Sequence, residues 1–214
     1  MLTLCEELLL LAVHDEKGNV VLGASSSLPY GLASAVLLDL EKHKKIEFEN
    51  DEVKLLEYTP TGYDFLDKIL IQIKGKTKNK FINFWIKSIG LNSKELINDI
   101  FEQLTRSGIL LKEEQKMLWT IKFERYPTLN PVPELETRDR IHKSVLMGLT
   151  PDASLLDLMS LLYYCNLINE VFPKGKRREA RSNLAAMIHD HRLGIITHDV
   201  IKDMTGAGSL TNKK

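Results

Sequence analysis

Apolar and polar positions along this chain keep mostly to a helical rhythm, broken by a few short alternating stretches. Leu4 to Val13 is almost wholly apolar, and Thr3-Leu4-Cys5-Glu6 has capping-box spacing, so a helix is predicted to start at Leu4. It ends near Val13, because Asp15-Glu16-Lys17-Gly18-Asn19 is turn chemistry. Val20 to Leu22 reads as a short strand. A serine-rich loop from Gly23 leads to Pro29, which is tolerated in the first turn of a helix running to about Lys44. Ile46-Glu47-Phe48 and Val53-Lys54-Leu55 flank Asn50-Asp51 as a hairpin. After the loop Thr59-Pro60-Thr61-Gly62, a helix is predicted from about Tyr63 to Ile73.

Lys74-Gly75-Lys76-Thr77-Lys78-Asn79-Lys80 is a lysine-rich connector. Phe81, Phe84, Trp85 and Ile89 recur at helical spacing beyond it. Asn92 or Ser93 caps a further helix with an apolar face of Leu96, Ile97, Ile100, Phe101 and Leu104, which Gly108 ends. Ile109 to Leu111 and Met117 to Phe123 are predicted to pair as a second hairpin, and Pro127, Pro131 and Pro133 make an extended crossing. Helices are then predicted over about Leu135 to Leu149, from near Thr150-Pro151-Asp152 as a central buried helix that is apolar almost all round from Leu155 to Phe172, and from Arg177 to His189 or beyond. The tail from Gly206 to Lys214 is expected to fray, which leaves a single domain over residues 1–205.

Composition narrows the class further. A chain of 214 residues, 43% of them apolar, has material for a substantial core; folding at this size buries roughly 70% of the unfolded surface. Lysines plus arginines equal aspartates plus glutamates, 29 each, so no global field draws the chain to nucleic acid or membrane. Cys5 and Cys165 lie in apolar stretches and read as buried thiols of a reducing compartment. The longest apolar run, Leu8 to Val13, is far too short to span a bilayer, and Glu6 and Glu7 precede it where a signal peptide carries positive charge. A soluble, cytoplasmic protein is expected, at most peripheral to a membrane.

Candidate chemistry is sparse. Helix, basic turn and hairpin recur around Leu37 to Tyr58 and Ile100 to Phe123, a winged-helix-like echo. The would-be recognition helix carries Glu95, Asp99 and Glu102 against Lys94 and Arg106, and an acidic face opposes phosphate, so no nucleic acid is expected. His189, His191 and His198 lack the spacing of a zinc site, so no metal or other cofactor is expected. No nucleophile elbow or phosphate-binding glycine loop is present, and Ser25-Ser26-Ser27 lacks glycine bracketing, so an enzyme is not expected. Two basic runs, Lys74 to Lys80 and Lys176 to Arg181, would attract anionic lipid if they faced a membrane; otherwise they are solvated. Alternation puts Met117, Trp119, Ile121 and Phe123 on one strand face, either packed internally or exposed as an oligomer contact or membrane wedge.

The order of motifs resembles the Golgi phosphoprotein 3 family. The stretches that carry it are "LTLCEELLLLAV" at Leu2 to Val13, Pro60-Thr61-Gly62, Trp85-Ile86, Gly108-Ile109-Leu110 and "NLINEVF" at Asn166 to Phe172. The likeness covers about residues 2–188 and is to a short, bacterial type of member without the basic N-terminal arm of the eukaryotic proteins. It implies a mainly α fold: a central helical bundle surrounded by amphipathic helices, with winged-helix-like β-hairpins. It also implies a non-catalytic peripheral membrane adaptor that binds phosphatidylinositol 4-phosphate and protein cargo on the cytoplasmic face of a membrane, the Golgi in eukaryotes. The hairpin implies self-assembly or membrane contact through Met117, Trp119 and Ile121.

The family's lipid pocket carries over poorly. Its loop tryptophan falls on Ala24, its helix-start arginine on Ala33, and two further arginines on Lys94 and Ile97. What remains for a headgroup is Ser25, Ser26, Ser27 and Lys94, and lysine lacks the planar fork with which arginine grips phosphate. Altered or lost lipid selectivity follows. The alternative reading is a winged-helix-like module that binds protein or nucleic acid.

Overall fold

A computed structural model describes the backbone of residues 2–117 and 121–206 and the side chains of residues 2–114 and 124–206. The chain opens with α1 (Leu4–Leu11), a 3-10 turn (Leu22–Ala24), α2 (Leu28–Lys42), β1 (Ile46–Glu49), β2 (Glu52–Leu55) and α3 (Asp64–Lys74). Then come β3 (Lys80–Phe81), α4 (Ile82–Leu91), α5 (Ser93–Arg106), β4 (Glu113–Met117) and β5 (Ile121–Arg125). The last third is α6 (Val132–Met147), α7 (Ala153–Tyr164), α8 (Ile168–Val171), α9 (Arg177–Met187) and α10 (Arg192–Thr205). The fold is mainly α with small antiparallel hairpins, as the sequence implied.

The hub is α2. It packs against α1, α3, α4, α5, α7 and α10, and every residue from Gly31 to Leu37 is buried. A helix can be enclosed on all sides only where its neighbours come close, and here Gly31, Ala33, Ser34 and Ala35 supply the small side chains. The approach at Gly31 is limiting, because a Cβ there would lie 2.2 Å from Cys165 Sγ.

α1 is buried along its whole length, Glu6 and Glu7 included. Its first amides therefore need partners inside the protein. The capping box forms as the sequence predicts: Thr3 Oγ1 accepts from the Glu6 amide at 3.2 Å, and Glu6 Oε2 accepts from the Thr3 amide at 2.8 Å. The amides of Leu4 and Cys5 donate to the Asp39 carboxylate of α2, at 2.9 and 3.0 Å. No local pattern marks that contact.

Several predicted elements are corrected. The continuous helix over Leu155 to Phe172 is two helices, because Asn166 takes a left-handed φ of 61° and ends the run. A left-handed residue after a helix turns its last carbonyls toward new partners, and the Leu167 amide duly donates back to Leu162 O at 3.0 Å. The central position goes to α2 instead. Val20 pairs with Val13 in a single bridge, and Leu22 enters a 3-10 turn rather than a strand. The segment after Arg177 is also two helices, divided before His191.

The second hairpin is set differently too. β4 and β5 pair from Glu113 with Arg125 to Met117 with Ile121. Met117 and Ile121 thus face each other across two strands rather than alternating along one. Leu110 pairs with Thr128 of the proline-rich crossing. Local alternation carries no record of which residues pair across strands, so it cannot show that Met117 and Ile121 are partners. Trp119 and the predicted tail beyond Gly206 lie outside the described residues.

Two expected outcomes follow. Gly31→Ala forces a methyl group against a buried sulfur and should cost about 1–3 kcal/mol, read as a lower melting temperature that Cys165→Ala partly restores. An unchanged melt would refute the close approach. The second concerns Asp39, whose carboxyl is pushed up from 3.8 to about 6 by burial, against the pull of the amides it accepts. Since the folded value lies above the unfolded one, the native state takes the proton first. The Asp39 contribution to stability is then fullest below about pH 4, falls as pH rises toward about 6, and is lost above that, a span on the order of 3 kcal/mol. Asp39→Asn should remove that component of the slope in denaturant titrations across this window.

Candidate functional site

The loop expected to hold an anion lies at the start of α2 and is already engaged. Ser25 Oγ donates to Leu22 O at 2.9 Å. Ser27 Oγ lies 3.1 Å from Cys165 O and 3.3 Å from Ala24 O. Asn166 Nδ2 donates to Gly23 O at 3.3 Å, and Cys165 Sγ sits 3.7 Å from Ser27 O. The loop is thus clasped to the end of α7 through backbone carbonyls. Ser27 is buried, while Ser25 and Ser26 are exposed.

Lys94 approaches this loop only indirectly. The start of α2 meets the end of α4, where a Cβ on Gly90 would lie 2.4 Å from the Tyr30 ring. α5 begins two residues after α4 ends, and Lys94 stands exposed in its first turn. Among the described residues no hydrogen bond or ion pair joins Lys94 to the serines. Ala24 and Ala33 are fully buried, part of the core rather than the wall of an open pocket, and Ile97 is half-buried.

The acidic face of α5 has partners within the fold. Lys68 of α3 reaches Asp99 at 2.7 Å and Glu95 at 2.8 Å, which pushes its ammonium above the ordinary lysine value and ties the two helices.

 Both contacts favour the charged lysine. The root of the second hairpin is equally fixed: Phe101 stacks on Tyr126 with centroids 4.2 Å apart, Tyr126 Oη donates to Glu124 at 2.7 Å, and Lys112 pairs with Glu124 at 2.8 Å.

The histidines are also occupied. His191 Nδ1 accepts from the Gly194 amide at 3.1 Å, which leaves Nε2–H to donate to Asp157 Oδ1 at 2.8 Å. His198 stacks on Tyr164. Among the described residues no three metal-ligating side chains converge. Burial pushes the thiols of Cys5 and Cys165 up, the latter to about 12, so both stay protonated near neutral pH.

Sequence reasoning missed a cleft of about 940 Å³ between α1, α5, α6 and the start of α7. On its wall Glu7 Oε1 accepts from Arg140 at 2.9 Å and from Thr137 at 3.0 Å. Glu6, Glu136 and Asp152 add acidic groups, and Lys42 spans toward Ser154 at 3.4 Å. These residues come from segments up to about 150 positions apart with no shared motif, so only the folded chain brings them together.

A comparison with curated proteins finds no significant match. The family comparison is informative: the profile of Golgi phosphoprotein 3 (GPP34) matches residues 4–204, from the first residue of α1 almost to the end of α10. With nearly every described element inside that match, the chain belongs to the Golgi phosphoprotein 3 family.

Proposed function

We propose that this chain is a non-catalytic peripheral membrane adaptor, which docks reversibly on anionic lipid at the cytoplasmic face of a membrane and holds protein cargo or further copies of itself. The observation that carries this reading is family membership across residues 4–204. No helix among the described residues is long and apolar enough to cross a membrane, which is compatible with attachment from one side. The buried alanines at positions 24 and 33 favour weak headgroup selectivity, because neither offers a donor to phosphate.

Flotation with vesicles tests the lipid part. Binding should follow anionic charge, with phosphatidylinositol 4-phosphate no better than phosphatidylserine at equal surface charge. Failure to float with any anionic vesicle would remove the membrane reading; marked preference for phosphatidylinositol 4-phosphate would remove the loss of selectivity.

The hairpin is the proposed surface for assembly or membrane contact, through Met117, Trp119 and Ile121. Trp119→Asp places a charge at its centre and should abolish association or vesicle binding while leaving the melting temperature unchanged. Light scattering, flotation and a melt on one variant check this; a destabilised protein with assembly and binding intact would overturn it.

A further inference from the structure

The two basic runs look alike in sequence and differ in the fold. In the second, Lys176 pairs with Glu179 at 2.8 Å, and Arg177 donates to the carbonyls of Phe172 and Asn169 at 3.1 and 2.8 Å. Those groups fasten the start of α9. In the first, Lys74, Lys76, Lys78 and Lys80 lie within seven residues that include no acid. Among the described residues none of these four makes an ion pair, and Lys74, Lys76 and Lys78 are exposed.

What they do contact is aromatic. Lys74 Nζ lies 3.5 Å from the centre of the Tyr58 ring. Lys76 and Lys80 stand 5.8 and 5.7 Å from the Phe84 ring. Tyr58, Phe81 and Phe84 are 45%, 55% and 38% exposed, large for rings in water. Two acids beside this corner are directed elsewhere: Glu57, next to Tyr58, toward Lys45 at 3.6 Å, and Asp51, whose carbonyl accepts from the Ile82 amide, to Arg192. This corner, at the junction of α3, β3 and the start of α4, lies at the opposite end of α4 from Gly90 and the serine loop.

We propose that this lysine and aromatic corner supplies the cationic surface with which the chain contacts an anionic lipid bilayer, alongside whatever apolar contact the hairpin makes, a refinement that rests on the peripheral membrane reading above. Lysine ammoniums meet the anionic headgroups, and aromatic rings settle at the level between headgroup and acyl chain. Contact of this kind responds to surface charge rather than to one headgroup, since flexible lysines impose no fixed phosphate geometry. A single-stranded nucleic acid would also meet cations and rings. It needs open ring faces for base stacking, however, and the Tyr58 face is covered by Lys74.

The test is co-sedimentation of the full chain with phosphatidylcholine vesicles containing phosphatidylserine. Replacing Lys74, Lys76, Lys78 and Lys80 together by serine should weaken binding at least about 100-fold, given roughly fivefold per cation near an anionic surface. Lys76→Ser with Lys78→Ser changes two exposed side chains of the connector and should weaken binding about 25-fold by the same rule, at an unchanged melting temperature. Arg178→Ser with Arg181→Ser should leave binding within a few-fold, and soluble inositol phosphates should compete poorly. If the lysine variants bind like the parent, or if Lys94→Ser produces the loss instead, this corner is not the contact, although the membrane reading stands. If the parent chain sediments with no anionic vesicle, both fall. Tighter binding to single-stranded RNA than to vesicles at the same salt would overturn the proposal in favour of nucleic acid.

Discussion

The first helix of this protein begins inside the molecule, and that is the constraint on which the remaining packing depends. An α-helix leaves its first amides without partners, and a buried orphan amide costs on the order of 1–3 kcal/mol. α1 has no exposed residue at its start, so water is not the remedy. Thr3 and Glu6 satisfy part of the need locally, and Asp39 supplies the rest from α2. The carboxylate also interacts favourably with the positive end of the helix. This one side chain fixes the register of α1 against the central helix.

Small side chains carry that central position further. Gly31, Ala33, Ser34 and Ala35 let six helices reach α2, and Gly31 is filled by Cys165 from the end of α7. The same feature bears on function. Positions 24 and 33, where the family resemblance places headgroup ligands, are occupied here by alanines that complete the core. A buried alanine at such a point contributes packing and offers nothing to a phosphate. On the membrane reading proposed above, the charge comes instead from the connector lysines beside Tyr58 and Phe84, which make no ion pair among the described residues.

The serine loop illustrates how the same residues serve structure instead of binding. A run of three hydroxyls ahead of a helix suggests an anion cradle. In the fold, Ser25 and Ser27 turn to backbone carbonyls, and Asn166 closes the loop from the other side. The loop is held by the break between α7 and α8, which the left-handed Asn166 creates. One residue thus ends a helix and secures the approach to another.

What the sequence determined by itself is what depends on neighbours along the chain. The capping box at Thr3 and Glu6, the turn chemistry around Gly18, the first hairpin at Asn50-Asp51 and the periodicity of α3, α5 and α9 are local, and each stands in the structure. The order of those motifs was also enough to indicate the family. The tertiary structure decided what depends on distant partners. Asp39 meets α1 across 35 positions, Glu7 meets Thr137 and Arg140 across more than 100, and Gly31 meets Cys165 likewise. It also decided that Lys176 of the second basic run meets an acid while the four connector lysines, among the described residues, do not, because an ion pair forms between side chains that folding brings together, and spacing in the chain carries no record of that approach.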